Sequence, residues 1–262
     1  MFRIGRRASG AALGCGVLER DAGLDKRDIL RRLVHEAATP YRNSGEFAWR
    51  FARGKLRLDP VFAGLLERGL VPADARVLDL GCGQGLLASW LMAARTAWQQ
   101  GYWPAGWPEP PQMRSFQGIE WMPRDVARAR QALAGAVQIS CADISESDYG
   151  DADVVAIIDV LHYLDRARQD RVLAAVRAAL APGGLLLLRV GDAAAGTRFR
   201  LSRWVDSVVI SFRGLGMRRL HCRSLREWEQ CLRQLGFMIE IVPMSQGTPF
   251  ANVLLIARVP GV

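Results

Sequence analysis

The chain has 262 residues and a formal net charge of +9, a length that suits one α/β domain with appendages or two small domains. Half of the residues are apolar and 23% are charged, an ordinary globular balance, and the longest apolar runs, VVAIIDVL and LLLL, are strand-sized, short of the ~18 residues that span a bilayer. The five cysteines form no C-x-x-C pair, and with only three histidines (His35, His162, His221) no metal-ligand spacing arises, so neither a disulfide framework nor a metal is expected.

Residues 1–24 mimic a targeting signal. Their apolar stretch is weak and broken by glycines, so a disordered lead-in is expected in preference to a twin-arginine or lipoprotein signal, and with it a cytoplasmic protein. Residues 25–38 place Ile29, Leu30, Leu33, Val34 and Ala37 on one helical face. Pro40 ends that pattern. A second helix is predicted from Ser44, carrying Phe47, Trp49 and Phe51. Asp59-Pro60 reads as an N-cap and first helical residue. Residues 25–72 are therefore read as a helical front, ahead of a domain over 73–262.

From Arg76 the pattern alternates. RVLDL is a strand, GLLASWLMAARTAW a helix, SFQGIEWM a strand, PRDVARARQALA a helix, AVQISCAD and ADVVAIID two strands, and DRARQDRVLAAVRAAL a helix. The PGG that follows is read as a turn into LLLLRV. This rhythm predicts a parallel sheet covered on both faces. A Trp/Pro-rich insertion over 98–115 interrupts it, read as a loop packed on the surface or walling the substrate site. An arginine-rich segment, 192–221, precedes a helix capped by Ser224. MIEIVPM and ANVLLIARV, joined by SQGTP, are read as a hairpin.

The stretch RVLDLGCGQG carries the chemistry. Gly81, Gly83 and Gly85 let the backbone turn sharply and approach a ligand closely. A dinucleotide site has G-x-G-x-x-G at this place; here the spacing is G-x-G-x-G, and Asp79 precedes it. A carboxylate repels phosphate and attracts a cation, worth a few kcal/mol at an effective dielectric of ~20. S-adenosylmethionine has no phosphate and carries an ammonium and a sulfonium. Glu120, after the second strand, can accept from both ribose hydroxyls. Its distance from Asp79 exceeds the usual ~20 residues because of the insertion. Asp143 can accept from the adenine amino group, with Ile144 against the ring. Each acid taken alone reads equally well as a solvated loop residue or a helix cap.

In order, VLDLGCGQG, GIE, CAD, DVVAIIDVLHYL and APGGLLLLRV resemble the motifs of class I S-adenosylmethionine-dependent methyltransferases, over Arg76 to Val259. The resemblance implies an α/β Rossmann-like sheet of seven strands in the order 3-2-1-4-5-7-6, strand 7 antiparallel, with S-adenosylmethionine as cofactor and S-adenosylhomocysteine as product. It implies cofactor contacts at Asp79, Gly81, Cys82, Gly83, Gly85, Glu120, Trp121, Asp143, Ile144 and Asp159. Asp159 and His162 fall at the family's active-site mouth. His162 is a candidate base, since an imidazole titrates near neutrality; the competing reading packs it under the cofactor or caps the next helix with it. In the family the variable front chooses the acceptor. Here that front, with the 192–221 segment, is read as a lid, with Tyr41, Arg42, Tyr163 and Trp204 as acceptor contacts and Phe47, Trp49 and Arg50 beside them; for the front residues and Trp204, packing or solvated surface is the competing reading.

The motif after strand four, DVLH, lacks the Asn/Asp-Pro-Pro-aromatic run of nucleobase N-methylation. Arginine carries the charge, since lysine occurs only at Lys26 and Lys55. That composition allows an anionic partner without demanding one. The front and the insertion are also similar to methyltransferases of bacterial aryl-polyene and xanthomonadin-type pigment gene clusters. That likeness implies an aromatic acceptor in secondary metabolism, free or on an acidic acyl carrier protein. The expected activity is O- or C-methylation of a small molecule by a monomer or homodimer. RNA or protein methylation and a non-catalytic cofactor-binding scaffold are the competing readings.

Overall fold

The structure is a computed structural model that describes residues 25–191, 220–244 and 252–261. The lead-in over 1–24, most of the 192–221 segment with Trp204, and the SQGTP connection lie outside the described residues.

Three helices open the chain: α1 (Lys26–Ala38), α2 (Glu46–Leu58) and α3 (Pro60–Glu67), with a 3-10 segment, Thr39–Ser44, between the first two. The second helix was expected from Ser44. Instead Pro40 sits in the first turn of the 3-10 segment, where its missing N–H is harmless. Gly45, at φ +99, then resets the chain into α2. Asp59 caps α3 as expected, accepting from the Val61 N–H at 3.1 Å.

The sheet follows: β1 (Arg76–Leu80), α4 (Leu86–Gln99), β2 (Ser115–Glu120), α5 (Pro123–Leu133), β3 (Gln138–Cys141), β4 (Ala152–Ile158), a short 3-10 turn (Leu161–Tyr163), α6 (Arg166–Ala179), β5 (Leu180–Gly191), α7 (Leu225–Gln234), β6 (Met238–Pro243) and β7 (Asn252–Arg258). The strand order is β3-β2-β1-β4-β5-β7-β6. β7 runs antiparallel to both of its neighbours, so the predicted topology and the hairpin pairing are observed. β5 begins earlier than LLLLRV. Leu180 already pairs with Ala152, and the Gly183 N–H donates to the Val259 carbonyl at 3.1 Å. The PGG is therefore a kink within the strand. Ser224 opens α7 with a complete capping box, Glu227 returning the bond.

Alternation explains why the strands read as continuous apolar runs. Leu185 and Leu187 join one core with Val77, Val154 and Ala156, under α1 to α5. Leu186 and Leu188 join the other with Leu78, Leu80, Val155 and Ile157, under α6 and α7. The front shares the first core: Leu33, Ala37, Tyr41, Ala52 and Leu65 pack with Trp90 and Ala94 of α4. The insertion stays at the far end of the sheet, after α4 and before β2. Trp103 and Trp107 meet edge to face at 5.6 Å, and Arg32 of α1 lies 3.6 Å over Tyr102.

Candidate cofactor and acceptor site

The carboxyl ends of β1, β2 and β4 converge on the glycine turn. Gly81 leaves β1 with its N–H donating to the Ile119 carbonyl at 2.8 Å, and Gly85 closes the turn on Cys82 at 2.9 Å. All three glycines have positive φ, of 75°, 56° and 75°, but their surroundings differ. A Cβ at Gly81 would stand 2.4 Å from Val160 Cγ2, and one at Gly85 would stand 2.6 Å from Leu133 Cδ1. A Cβ at Gly83 would meet no described atom within 4 Å. Gly81 and Gly85 are thus fixed by packing, whereas Gly83 faces open space, where a ligand can approach its backbone.

Asp79 lies on β1 beside this turn, 4% exposed. Its carboxylate makes no hydrogen bond among the described residues. Burial, reinforced by the nearby Glu120 carboxylate, raises it to about 7. A cationic group is the partner such a site lacks. Glu120 is held in place: Oε2 accepts from the Gly83 N–H and Oε1 from the Met122 N–H, both at 2.9 Å. Trp121 follows it, 48% exposed, a flat apolar face at the strand end. The Cys82 thiol is pushed up by burial, and its Sγ would lie 2.8 Å from a Cβ at Gly118.

Asp143 is engaged within its own loop. Its Oδ1 accepts from both the N–H and the hydroxyl of Ser145 at 2.8 Å, and Oδ2 lies 3.5 Å from an Arg168 nitrogen. It builds an Asx turn, with Oδ2 on the side of Arg168. Ile144 is buried in the second core. The residues present fit S-adenosylmethionine best at three points: the buried unpaired acid, the open backbone at Gly83, and the acid plus aromatic pair after β2.

Beyond β4 the chain enters Asp159 at φ +60, a left-handed conformation rare outside glycine. Its carboxylate is paired on both oxygens, with Arg189 Nε and Lys55 Nζ, each at 3.0 Å. Burial alone would raise this group; Arg189 and Lys55 overcome it and hold it at about 2. A carboxylate so held is a poor proton acceptor at neutral pH, and its two ion pairs tie the turn after β4 to β5 and α2. Lys55, Asp59 and Arg189 were not foreseen here. The available signal was Arg189 itself, a charge inside an apolar strand that needs partners.

His162 stands in the turn after Asp159, its ring 4.1 Å from that of Tyr163. Burial lowers it to about 4, against the pull of Asp159, so the imidazole is neutral at pH 7. Its Nε2 is buried with no hydrogen-bond partner among the described residues. Gln169, buried on α6, fixes this turn by donating to the Leu161, Leu164 and His221 carbonyls at 2.7–3.0 Å. Sequence reasoning missed Gln169 as well.

The expected acceptor contacts divide. Tyr41 is wholly buried, and its hydroxyl donates to the Gln84 carbonyl at 2.9 Å. It supports the glycine turn from beneath and offers no exposed wall, because the 3-10 segment carries its ring into the core. Arg42 is exposed and lies 4.7 Å over Trp49. Phe47 is 62% exposed, and Arg50 pairs with Glu46 at 2.6 Å. Tyr163 is half-buried beside His162.

The family model described as Methyltransferase domain matches residues 28–241. None of the curated proteins is significantly similar in sequence. Among solved structures, the chain is similar to the pyocyanin biosynthetic protein PhzM (TM-score 0.57, 16% identity, 86% of this chain and 62% of that one). It is similar to an O-methyltransferase family protein from Burkholderia thailandensis (0.56, 22%, 84% and 62%). It is also similar to magnesium protoporphyrin IX methyltransferase from Synechocystis PCC 6803, which was determined with bound S-adenosylhomocysteine (0.54, 20%, 89% and 99%). The chain spans about three fifths of the length of the first two. With the sheet order, the glycine turn and the matched residues together, the chain belongs to the methyltransferase domain family, in its S-adenosylmethionine-dependent class.

Proposed function

We propose that this protein methylates an oxygen or carbon of a small aromatic acceptor carrying an acidic proton, with His162 Nε2 receiving that proton. One observation carries the reading: a buried, neutral imidazole at the carboxyl end of β4 whose Nε2 has no partner among the described residues. The cofactor supplies an electrophilic methyl group and its own leaving group, so the chain's task is alignment and exclusion of water. Asp79 receives the cationic end. Gly83 offers its backbone, and Glu120 and Trp121 receive the ribose and its neighbourhood. His162 accepts a hydrogen bond from the acceptor, and Tyr163 lies against the same turn.

A base lowered to about 4 lies closer to a phenol than to an aliphatic alcohol, and proton transfer is the more efficient the closer the two pKa values are; a carboxylic acid, already ionised at neutral pH, needs no base. Two structural neighbours are described as a pyocyanin biosynthetic protein and an O-methyltransferase complexed with apigenin. Both descriptions concern aromatic compounds, which supports an aromatic acceptor here. Delivery on an acidic carrier protein, in the secondary metabolism of a pigment cluster and in the cytoplasm, agrees with the exposed arginines of α2.

The test is incubation of the purified protein with methyl-labelled cofactor and a panel of phenols, aromatic acids and their carrier-bound forms. Label in an aromatic product, lost in His162→Ala with S-adenosylhomocysteine binding intact, supports the reading. Label confined to RNA or protein contradicts it.

A further inference from the structure

The reactive end of the sheet is joined to the helical front by four buried or half-buried charges. Lys55 Nζ, near the end of α2, lies 2.8 Å from Asp59 and 3.0 Å from Asp159. Arg189 of β5 pairs with Asp59 and, through Nε at 3.0 Å, with Asp159. Arg189 is 4% exposed and Asp59 is 8% exposed. Two cations and two anions alternate in a closed ring. Such a ring tolerates burial only when complete, since losing one member leaves a charge unpaired.

The ring acts on the place where the reaction occurs. Asp159 holds a left-handed backbone, a conformation that persists when surrounding contacts over-determine it. Its main-chain N–H also faces the Arg189 carbonyl, at 3.4 Å. The next residue, Val160, lies so close to Gly81 that a Cβ there would stand 2.4 Å from it. His162 follows within the same turn. The geometry points to Lys55 as a positioning residue for methyl transfer. From the helical front it holds Asp159 in its turn, and so seats Val160 on the cofactor's glycine turn and His162 at the mouth. No role was expected of this residue from sequence. The inference rests on the methyltransferase reading of the site.

Lys55→Met removes the ammonium and keeps the stem. Lys55→Arg keeps the charge and both pairings. Amide hydrogen exchange of residues 157–164 reads the turn directly, in the protein without ligand, and S-adenosylhomocysteine affinity by calorimetry reads its consequence. The expected result for Lys55→Met is faster exchange in 157–164, unchanged exchange in the α1 peptides, and affinity lowered about fivefold or more. Lys55→Arg restores both. Asp159→Asn tolerates the left-handed backbone but lacks the charge, and serves if Lys55→Met does not fold. Combined with Lys55→Met, it is expected to lose no more affinity than the worse single variant, as partners in one interaction do. Wild-type exchange in 157–164 for Lys55→Met, or effects of the two substitutions that multiply, overturns the proposal. If the wild-type chain binds no S-adenosylhomocysteine, the methyltransferase reading fails, and the exchange measurement alone still decides the role of Lys55.

Discussion

The main-chain N–H of Gly83 donates to Glu120 Oε2 at 2.9 Å, so the acid after β2 and the open point of the glycine turn are one unit. Glu120 thereby orients the turn before it meets any ligand. Its other oxygen is fixed by the Met122 N–H. Glu120→Gln can keep only one of these acceptor roles. We expect S-adenosylhomocysteine affinity to fall about tenfold, one charge-assisted hydrogen bond's worth, with the melting temperature almost unchanged. Calorimetry beside thermal unfolding checks both.

Gly81 and Gly83 are predicted to fail differently. Gly81→Ala drives a Cβ into Val160 and forces a left-handed alanine, costing about 3 kcal/mol of stability. Val160→Ala in the same chain should recover the steric part. Gly83→Ala meets no described atom and should cost about 1 kcal/mol through its backbone alone, yet it should lose most cofactor affinity because the new methyl occupies the approach. Denaturant unfolding and cofactor titration of the three variants separate these effects.

Two buried groups titrate in opposite senses. Asp79 is raised to about 7, so the folded state holds a proton that the unfolded state has released, and stability falls as pH rises from about 4 to 7. His162 is lowered to about 4, so the folded state resists protonation, and stability falls as pH drops from about 6.5 to 4. In the wild type these slopes offset each other. Asp79→Asn should leave stability rising with pH across this window, and His162→Asn should leave it falling, each by up to about 1.4 kcal/mol per pH unit. Urea midpoints at pH 4.5, 5.5 and 6.5 measure the slopes.

Arg189→Met removes the charge that faces both Asp59 and Asp159. Among the described residues, buried Asp59 and half-buried Asp159 are then left with Lys55 as their shared cation. The expected loss is about 3–5 kcal/mol, larger above pH 5 than at pH 4, where the carboxylates take up protons. An equal loss at both pH values contradicts the charge account.

Much of this was legible before any coordinates. The β-α rhythm gave the parallel strands, Asp59-Pro60 and Ser224 gave helix starts, and the Asp79 to Gly85 spacing gave the turn. These are local patterns, in which each residue's conformation depends on near neighbours. The ring of Lys55, Asp59, Asp159 and Arg189 was not legible, because its members are separated by up to 134 positions and meet only after the front packs on the sheet. Tyr41 was open between packing and an acceptor contact for the same reason: an aromatic residue near the front looks the same in sequence whether the 3-10 segment turns it outward or inward. The early start of β5 was hidden by Pro182 and the two glycines, which read as a turn and are accommodated as a kink.

The central claim is that buried Asp79 selects a cationic methyl donor where a phosphate ligand would be repelled. Calorimetric titration of the wild-type chain and of Asp79→Asn with S-adenosylmethionine, S-adenosylhomocysteine and NAD tests it most directly. The account predicts that the wild type binds the first two, with affinity rising up to about tenfold per pH unit below pH 7 as the carboxylate ionises, that the variant loses this dependence, and that NAD gives no heat. Binding of NAD with no response to either sulfur compound would contradict it.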